Sequence, residues 1–236
     1  MLVKAACPRY VRAMIKLDIF HDPICPWCYI GKSRLDRALE ARPAHPFVVE
    51  WHPFQLNPEM PAEGMDRRAY LEGKFGGVEG AKAAYQPIVD TMSAELPKAD
   101  LGKITRTPNT LNAHRLVHWA GLEGAQTPIV SALFRAYFVE GRDIGDSEVL
   151  ADLADGNGID AALVQRLLAT DEDVDAIRAR DSHARDRGIN GVPLFLVGGR
   201  HAVSGAQATD LWLQVLDEIQ QRGLDGDERG LLTDQE

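Results

Sequence analysis

A single Cys-Pro-Trp-Cys motif at residues 25–28 constrains this chain more than any other feature. Alternating apolar and polar residues over 15–20 predict a short strand just before it, and His21-Asp22-Pro23 predicts a turn between the two. Helical spacing of apolar residues follows the motif, and Pro26 fits the first turn of that helix. The sequence therefore predicts the order strand, turn, C-x-x-C, helix.

The remaining patterns predict one sheet that is interrupted by helices. A second strand is expected over 47–54, and a hairpin over 194–203 with its turn at Gly198-Gly199 precedes a closing helix over 207–222. Between these halves, roughly 120 residues carry helical patterning with glycine and proline breaks. Because neither half has enough strands to stand alone, we predict an α/β chain with a thioredoxin fold (β-α-β … β-β-α) interrupted by a large all-helical insertion.

This layout divides the chain into five predicted segments. Met14 directly precedes the first strand, so either Met1 or Met14 is a candidate start. The segments are a loose leader at 1–13, the first half of the thioredoxin domain at 14–62, the helical insertion at 63–187, the second half at 188–222, and a flexible acidic tail at 223–236.

Charge and hydropathy argue against a nucleic-acid-binding protein and against a membrane-spanning one. Lys and Arg number 26 against 35 Asp and Glu, which gives 26 − 35 = −9, and this acidic balance argues against nucleic-acid binding. No apolar run reaches the roughly 18–20 residues that a membrane span needs. The first 14 residues lack the apolar core of a secretory signal, so we expect a cytoplasmic protein.

The cysteine pair has the arrangement that disulfide exchange needs. At a helix N-terminus, Cys25 lies at the cap, where unpaired N–H groups and the helix dipole stabilise a thiolate. Cys28 lies one turn inside, close enough to resolve a mixed disulfide formed by Cys25. Pro26 and Trp27 lie between the two sulfurs, and we expect them to tune the reactivity of the pair.

Two other interpretations of the cysteine pair remain open. It is one half of a possible zinc site, but tetrahedral zinc needs two more ligands; Cys7 lies in the loose leader, and His21 lies four residues before Cys25, where the strand ends. We therefore predict no metal. The pair is alternatively two buried, inert thiols. His114 and His118 also have metal-capable spacing on one helix face, although packing explains them more simply.

The segment Asp22 to Lys32 resembles the active-site segment of DsbA-like thioredoxin-fold oxidoreductases, and most closely the FrnE-like branch. Further matching stretches span 107–116, 133–144, 188–193 and 203–207, so the resemblance covers residues 15–222. It implies dithiol–disulfide exchange without a metal, with Cys25 as nucleophile and Cys28 as resolving thiol. It also implies that Pro193 is a cis proline facing the disulfide, with Val192 exposing its backbone to substrate. A plain trans proline at a strand edge is the alternative.

The chain departs from DsbA itself in ways that affect the expected activity. DsbA works on secreted proteins and commonly has a His between its cysteines, where this chain has Trp27. We therefore expect reduction or isomerisation of disulfides as readily as oxidation. The substrates would be disulfide-containing proteins or small thiols, with glutathione or another thiol as redox co-substrate and no bound cofactor.

Two rival functions stay open. One is a glutathione-dependent transferase or isomerase of the kappa and 2-hydroxychromene-2-carboxylate isomerase type, which has the same inserted fold but typically a Ser near the position of Cys25. The other is a chaperone-like protein that binds clients in the groove between insertion and core. The sequence does not decide between a monomer and a homodimer.

Three polar residues before the motif are candidates for supporting roles. Asp18 is either a buried carboxyl with a raised pKa that takes the proton from Cys28, or a polar residue on the outer face of the strand. His21 and Asp22 are candidates for the rim of the site, although turn formation alone explains Asp22-Pro23.

Overall fold

A computed structural model describes residues 14–221 of the chain. The predicted leader and tail, with Cys7, lie outside the described residues. In chain order the elements are β1 (Ile15–His21), α1 (Pro26–Ala41), β2 (Phe47–Pro53), β3 (Met65–Asp66), α2 (Arg67–Phe75), α3 (Val78–Glu95), a 3₁₀ turn (Leu101–Lys103), β4 (Arg106–Thr107), α4 (Leu111–Leu122), α5 (Gln126–Arg135), a π-helical turn (Ala136–Glu140), α6 (Ser147–Asp155), α7 (Ala161–Leu168), α8 (Val174–Asp186), β5 (Leu194–Val197), β6 (His201–Ser204) and α9 (Thr209–Gln221).

A four-stranded mixed sheet joins the two ends of the described chain, in the order β2-β1-β5-β6. β1 pairs parallel with β2 and antiparallel with β5, and β5 pairs antiparallel with β6. β1 lies inside the sheet between β2 and β5, and its Leu17 and Ile19 side chains are therefore at most 1% exposed. This is the predicted thioredoxin-type order β-α-β … β-β-α.

Most of the elements between β2 and β5 are helical, as the sequence predicts. Helices α4, α5 and α8 contact β2, whereas α1 and α9 pack against each other. No helix in the described range 14–221 has the length and apolar character needed to cross a membrane.

Two details of the insertion differ from the prediction. The two-residue strands β3 and β4 form a small antiparallel pair within a segment that we expected to be helix and loop. Helical patterning continues over 128–140 in the sequence, but α5 ends at Arg135 and the chain continues as a π-helical turn. Apolar spacing does not distinguish an i+4 from an i+5 hydrogen-bond pattern, so the sequence carries no signal for this change.

Candidate active site

Cys25 is the N-cap of α1 and its sulfur takes part in the cap. Its backbone is extended, with φ −81° and ψ 115°, and its Sγ accepts a hydrogen bond from the backbone N–H of Cys28 at 3.4 Å. Pro26 occupies the first turn of the helix, where its missing N–H costs no hydrogen bond. The first cysteine therefore lies at the positive end of the helix dipole, in the predicted position.

Cys28 lies one turn into α1, and both cysteines are free thiols. The exposed fraction is 3% for Cys25 and 2% for Cys28. Burial raises the pKa of Cys28 well above its usual value, and the neighbouring Cys25 raises it further. Cys28 thus keeps its proton at neutral pH, so a resolving role requires a nearby proton acceptor.

The cis peptide bond between Val192 and Pro193 lies next to the first cysteine. The Val192 carbonyl oxygen accepts a hydrogen bond from the Cys25 thiol at a donor–acceptor distance of 3.6 Å. The predicted cis conformation is therefore confirmed, and the Val192 backbone meets the Cys25 sulfur even though 167 positions separate the two residues.

Asp22 is a fully buried carboxyl at the start of the active-site turn. Its two oxygens accept hydrogen bonds from the backbone N–H of Ile24 at 3.2 Å and of Leu56 at 2.7 Å. Burial raises the pKa of Asp22 to about 7, although these hydrogen bonds and one from Thr110 act in the opposite direction. The charge of Asp22 is one of the causes that raise the pKa of Cys28. A carboxyl that exchanges its proton near pH 7 therefore lies beside the second cysteine.

Of the two sequence-based interpretations of Asp18, the carboxyl with a raised pKa is wrong. Burial raises its pKa, but hydrogen bonds from Lys16 and His52 outweigh burial, and the pKa lies below its usual value. His52 Nε2 lies 2.5 Å and Lys16 Nζ 2.9 Å from the Asp18 carboxylate. The buried carboxyl beside the cysteines is Asp22 instead.

Asp18, Glu50 and His52 also bring their potential ligand atoms within 4.8 Å of one another. Lys16 bridges the two carboxylates, at 2.9 Å from Asp18 and 2.8 Å from Glu50. An ammonium group therefore already neutralises this cluster, which we interpret as an ion-pair network.

His21 does not line the rim of the site, contrary to one sequence-based expectation. It is 0% exposed, and its ring packs edge-on against Trp51 and His114. Its Nδ1 is 3.2 Å from the His52 carbonyl oxygen, whereas its Nε2 has no hydrogen-bond partner among the described residues. Burial lowers the pKa of His21 to about 3, so the ring is a neutral part of the core beneath the motif.

The helical insertion contributes side chains around the cysteine pair. Trp27, between the cysteines, is partly buried against the main core, and Tyr29 stacks on Phe134 and Phe138 of the insertion. Tyr85 of α3 has a pKa raised mainly by burial, with smaller contributions from Tyr70 and Cys25. The active-site helix is therefore held between the sheet and the insertion.

Sequence reasoning missed several of these polar residues. Turn formation was the main interpretation of Asp22. Its place in an Asp-Pro-x-Cys segment was the available signal for a role beside the cysteines. Arg67, Tyr85 and Thr110 lie in helical patterns that predict only packing. Nothing local in the sequence shows that Arg67 bonds to Tyr85 or that Thr110 bonds to Asp22.

Comparisons with known proteins agree with this geometry. The model of the DSBA-like thioredoxin domain family matches residues 16–217. An uncharacterised protein of Bacillus subtilis, YwbO, is 25% identical over 209 residues, which cover 88% of this chain and 98% of the relative.

Solved structures give the same result. A probable DsbA oxidoreductase from Streptomyces coelicolor is 30% identical, with a TM-score of 0.75 and 93% of each chain covered. A 2-hydroxychromene-2-carboxylate isomerase has a TM-score of 0.66 at 16% identity, covering 90% of this chain and 100% of that one. The cytosolic disulfide reductase DsbM from Pseudomonas aeruginosa, solved with GSH, has a TM-score of 0.56 at 22% identity, covering 88% and 99%. The last two likenesses concern the fold alone.

Proposed function

The chain belongs to the family of DSBA-like thioredoxin domains, and from this premise we propose that it is a thiol–disulfide oxidoreductase acting on protein or small-thiol disulfides. The observation that carries the proposal is the position of Cys25. Its sulfur lies at the N-cap of α1 and faces both the Cys28 N–H and the Val192 carbonyl. A pair of inert core thiols has no need of that arrangement.

The exchange takes place in two balanced steps. The Cys25 thiolate attacks one sulfur of a substrate disulfide, the S–S bond breaks, and the leaving sulfur takes the electron pair and a proton. Cys28 then attacks the Cys25 sulfur of the mixed disulfide and releases the second substrate thiol. The protein is left oxidised by two electrons, and glutathione or another thiol reduces it again.

Asp22 supplies the proton acceptor for the second step. The Cys28 thiol must lose its proton before it attacks, and its raised pKa opposes this loss. A buried carboxyl with a pKa of about 7 is partly ionised at neutral pH and can take that proton. In the reverse direction it returns the proton to Cys28.

We further propose the finer features that the sequence predicts. They are a place in the FrnE-like branch, a cytoplasmic location, isomerase as well as reductase activity, no bound cofactor or metal, and no nucleic-acid or membrane partner. DsbM, a fold neighbour, is described as cytosolic, which supports the location. The segment boundaries at 14–62, 63–187 and 188–222 also remain our proposal.

A glutathione-dependent transferase or isomerase is the second candidate, because an isomerase of that type shares the fold. The two functions differ in their need for Cys28. Disulfide exchange through a dithiol fails without it, whereas activation of bound glutathione does not require a second thiol.

The deciding experiment is the reduction potential of the Cys25–Cys28 pair, measured by thiol trapping in graded glutathione buffers. A Cys7→Ser background removes the third cysteine from the thiol count. Insulin reduction and reactivation of scrambled ribonuclease follow with Cys25→Ser and Cys28→Ser. A two-electron transition with activity lost in Cys25→Ser supports the proposal. Absence of a disulfide, or full activity in that variant, contradicts it. Suppression of client aggregation that survives loss of both cysteines would instead indicate a chaperone.

A further inference from the structure

Helix α2 carries two cations that have no carboxylate partner in the described part of the chain. Arg67 is only 8% exposed, and Lys74 lies two turns further along the helix. Within the described residues, neither one has a carboxylate oxygen within the 4.0 Å of an ion pair. The chain has a net charge of −9, so acidic groups are not scarce, and adjacent Arg68 pairs with Glu72 at 2.6 Å.

The hydrogen bonds of Arg67 go to neutral hydroxyl groups. Its guanidinium donates to Thr107 at 3.2 Å, to Tyr137 at 3.5 Å and to Tyr85 at 2.6 Å. Arg115, another buried arginine, instead donates to three backbone carbonyls at and beyond the end of α7 and to the Asn112 side chain. The charge of Arg67 is thus left without an anion, and a buried cation is costly in that state.

Two hydrogen-bond donors that contact α2 also have no acceptor among the described residues. The Tyr85 hydroxyl accepts from Arg67, and since a guanidinium accepts nothing, the Tyr85 proton must go elsewhere. No acceptor for it lies within hydrogen-bond distance among residues 14–221. Asn57 uses its oxygen to accept from Tyr70 and Lys74, while its Nδ2 is buried without a partner. The cluster presents donors and positive charge with nothing to receive them.

Helix α3, which carries Tyr85, packs against α1, which has the nucleophilic Cys25 at its N-cap. Arg34 of α1 and Glu95 of α3 form an ion pair at 2.5 Å. Cys25 precedes Arg34 by 34 − 25 = 9 residues and Tyr85 precedes Glu95 by 95 − 85 = 10, about 14–15 Å of helix in each case. The effect of Cys25 on the pKa of Tyr85 agrees with this placing. The Cys25 thiol donates to the Val192 carbonyl and the Tyr85 hydroxyl accepts from Arg67, so the two groups are not hydrogen-bonded to each other.

We propose that Arg67 and Tyr85, with Asn57 and Lys74 at the side, form a subsite for the carboxylate of a small disulfide or thiol substrate whose sulfur reacts at Cys25. This inference rests on the proposed function and names its substrate class. Carboxylate is the matching chemistry because it accepts charge-assisted hydrogen bonds from a guanidinium and a phenol together. A small molecule fits better than a protein surface, since the Arg67 side chain is almost fully covered.

The test compares three alkyl disulfides that differ mainly in charge: 3,3′-dithiodipropionate, 2-hydroxyethyl disulfide and cystamine. The rate of Cys25–Cys28 oxidation by each is followed by thiol trapping in the Cys7→Ser protein. We expect the anionic disulfide to react fastest with the wild-type site. Arg67→Met should lower that rate roughly 10- to 100-fold, the value of a charge-assisted hydrogen bond, and leave the neutral disulfide within about twofold.

Two further variants make the result specific. Arg68→Met removes the same charge from the next residue, which is exposed, and should change all three rates by less than about twofold. Tyr85→Phe keeps the ring and removes only the donor, so it should slow the anionic disulfide alone. If Arg67→Met folds poorly, Tyr85→Phe tests the subsite in its place.

The possible outcomes distinguish failure of the proposed subsite from failure of the proposed oxidoreductase function. Selective loss of the anionic disulfide in Arg67→Met and Tyr85→Phe supports the subsite. An equal loss for all three disulfides, or no loss, overturns it while the oxidoreductase function stands. A wild-type protein that none of the three oxidises contradicts the oxidoreductase function itself.

Discussion

The γ-carbon of Pro193 lies 3.2 Å from the point where a β-carbon on Gly31 would stand. The Ala206 Cα and the Phe195 ring are each 3.4 Å from the same point. Gly31 follows Cys28 by three residues in α1, so its lack of a side chain lets the active-site helix lie directly against the segment that faces Cys25. The geometry of the site thus depends on a position that carries no functional group.

Gly31→Ala should therefore weaken both the fold and the exchange reaction. Alanine favours the helix by about 1 kcal/mol, but overpacking against a proline ring and a backbone atom costs about 1–3 kcal/mol. We expect a net loss of about 1 kcal/mol in the free energy of unfolding and slower oxidation of the cysteine pair. Urea denaturation and thiol trapping measure the two effects.

Gly73→Ala is the matched control, because nothing lies within 4 Å of a β-carbon at that position in α2. The same substitution should there raise stability by about 0.5–1 kcal/mol and leave the exchange rate unchanged. If Gly31→Ala stabilises the protein as Gly73→Ala does, the contact with Pro193 does not restrict this helix.

Asp22→Asn should remove a pH dependence of stability. The folded protein holds the Asp22 proton up to a pKa of about 7, whereas an unfolded Asp loses it near 3.8. This group's stabilising contribution is complete below pH 3.8 and is lost as the pH rises to about 7. At pH 8 the variant should be more stable than wild type by roughly 2–3 kcal/mol, after the loss of one hydrogen bond. Urea denaturation at pH 5 and at pH 8 checks the sign.

The same substitution should slow the second chemical step. Without the carboxylate, Cys28 has no buried proton acceptor, and resolution of the mixed disulfide at pH 7 should fall at least roughly tenfold. Quenched-flow alkylation with mass spectrometry follows the lifetime of the mixed disulfide. Asp18→Asn is the control, since that carboxylate is paired with Lys16 and His52. Equal slowing by both variants would show that Asp22 has no special role.

The sequence predicted the parts of the fold that depend on local pattern. β1 alternates and α1 begins at a proline, so both are visible in single segments, and the cysteines mark where they join. The strands β3 and β4 have two residues each, too few for any alternation, and they exist because distant segments pair. An element was therefore predictable when its sequence pattern was long enough to recognise, whether it was a helix or a strand.

The sequence identified the site residues that have a local signal, but it did not show which distant residues contact them in the fold. Cys25, Cys28 and Pro193 carry their own signals in spacing and residue type. Asp22 is buried because residues of two distant segments, Leu56 and Thr110, close over it, and a turn motif does not show this. Strand alternation favoured neither side for Asp18, so the carboxyl that meets Cys28 could not be identified before the tertiary contacts were known.

Gln126 protects an open sheet edge. β2 lies at the edge of the four-stranded sheet, and the Gln126 amide accepts from the Trp51 N–H at 2.8 Å and donates to the Trp51 carbonyl at 3.1 Å. The side chain thus replaces one residue of a neighbouring strand. Exposed edges with free N–H and C=O groups pair with other chains.

Gln126→Ala should lower the free energy of unfolding by about 1–2 kcal/mol through the loss of these hydrogen bonds. It should also increase self-association, measured by sedimentation velocity over a range of protein concentrations. Gln207→Ala removes a single exposed hydrogen bond to Ser204 and should do neither. A monodisperse Gln126→Ala protein of unchanged stability would contradict the protective role.

Acid sensitivity is expected from the buried pair of His21 and His114. Burial lowers the pKa of His21 to about 3 and that of His114 well below its usual value, so both rings are neutral in the folded state. The unfolded chain takes up these protons near pH 6.5, and stability therefore falls as the pH drops below that value. For His21 alone the loss at pH 5 is on the order of 2 kcal/mol.

His114→Leu should shift acid unfolding to lower pH, because neither ring nitrogen of His114 has a hydrogen-bond partner in the described chain and nothing polar is lost. The pH midpoint of unfolding, followed by circular dichroism, measures the shift. His183→Leu, at an exposed position of α8, is the control and should leave that midpoint in place. If both variants unfold at the wild-type pH, the buried imidazoles do not set the acid limit of this fold.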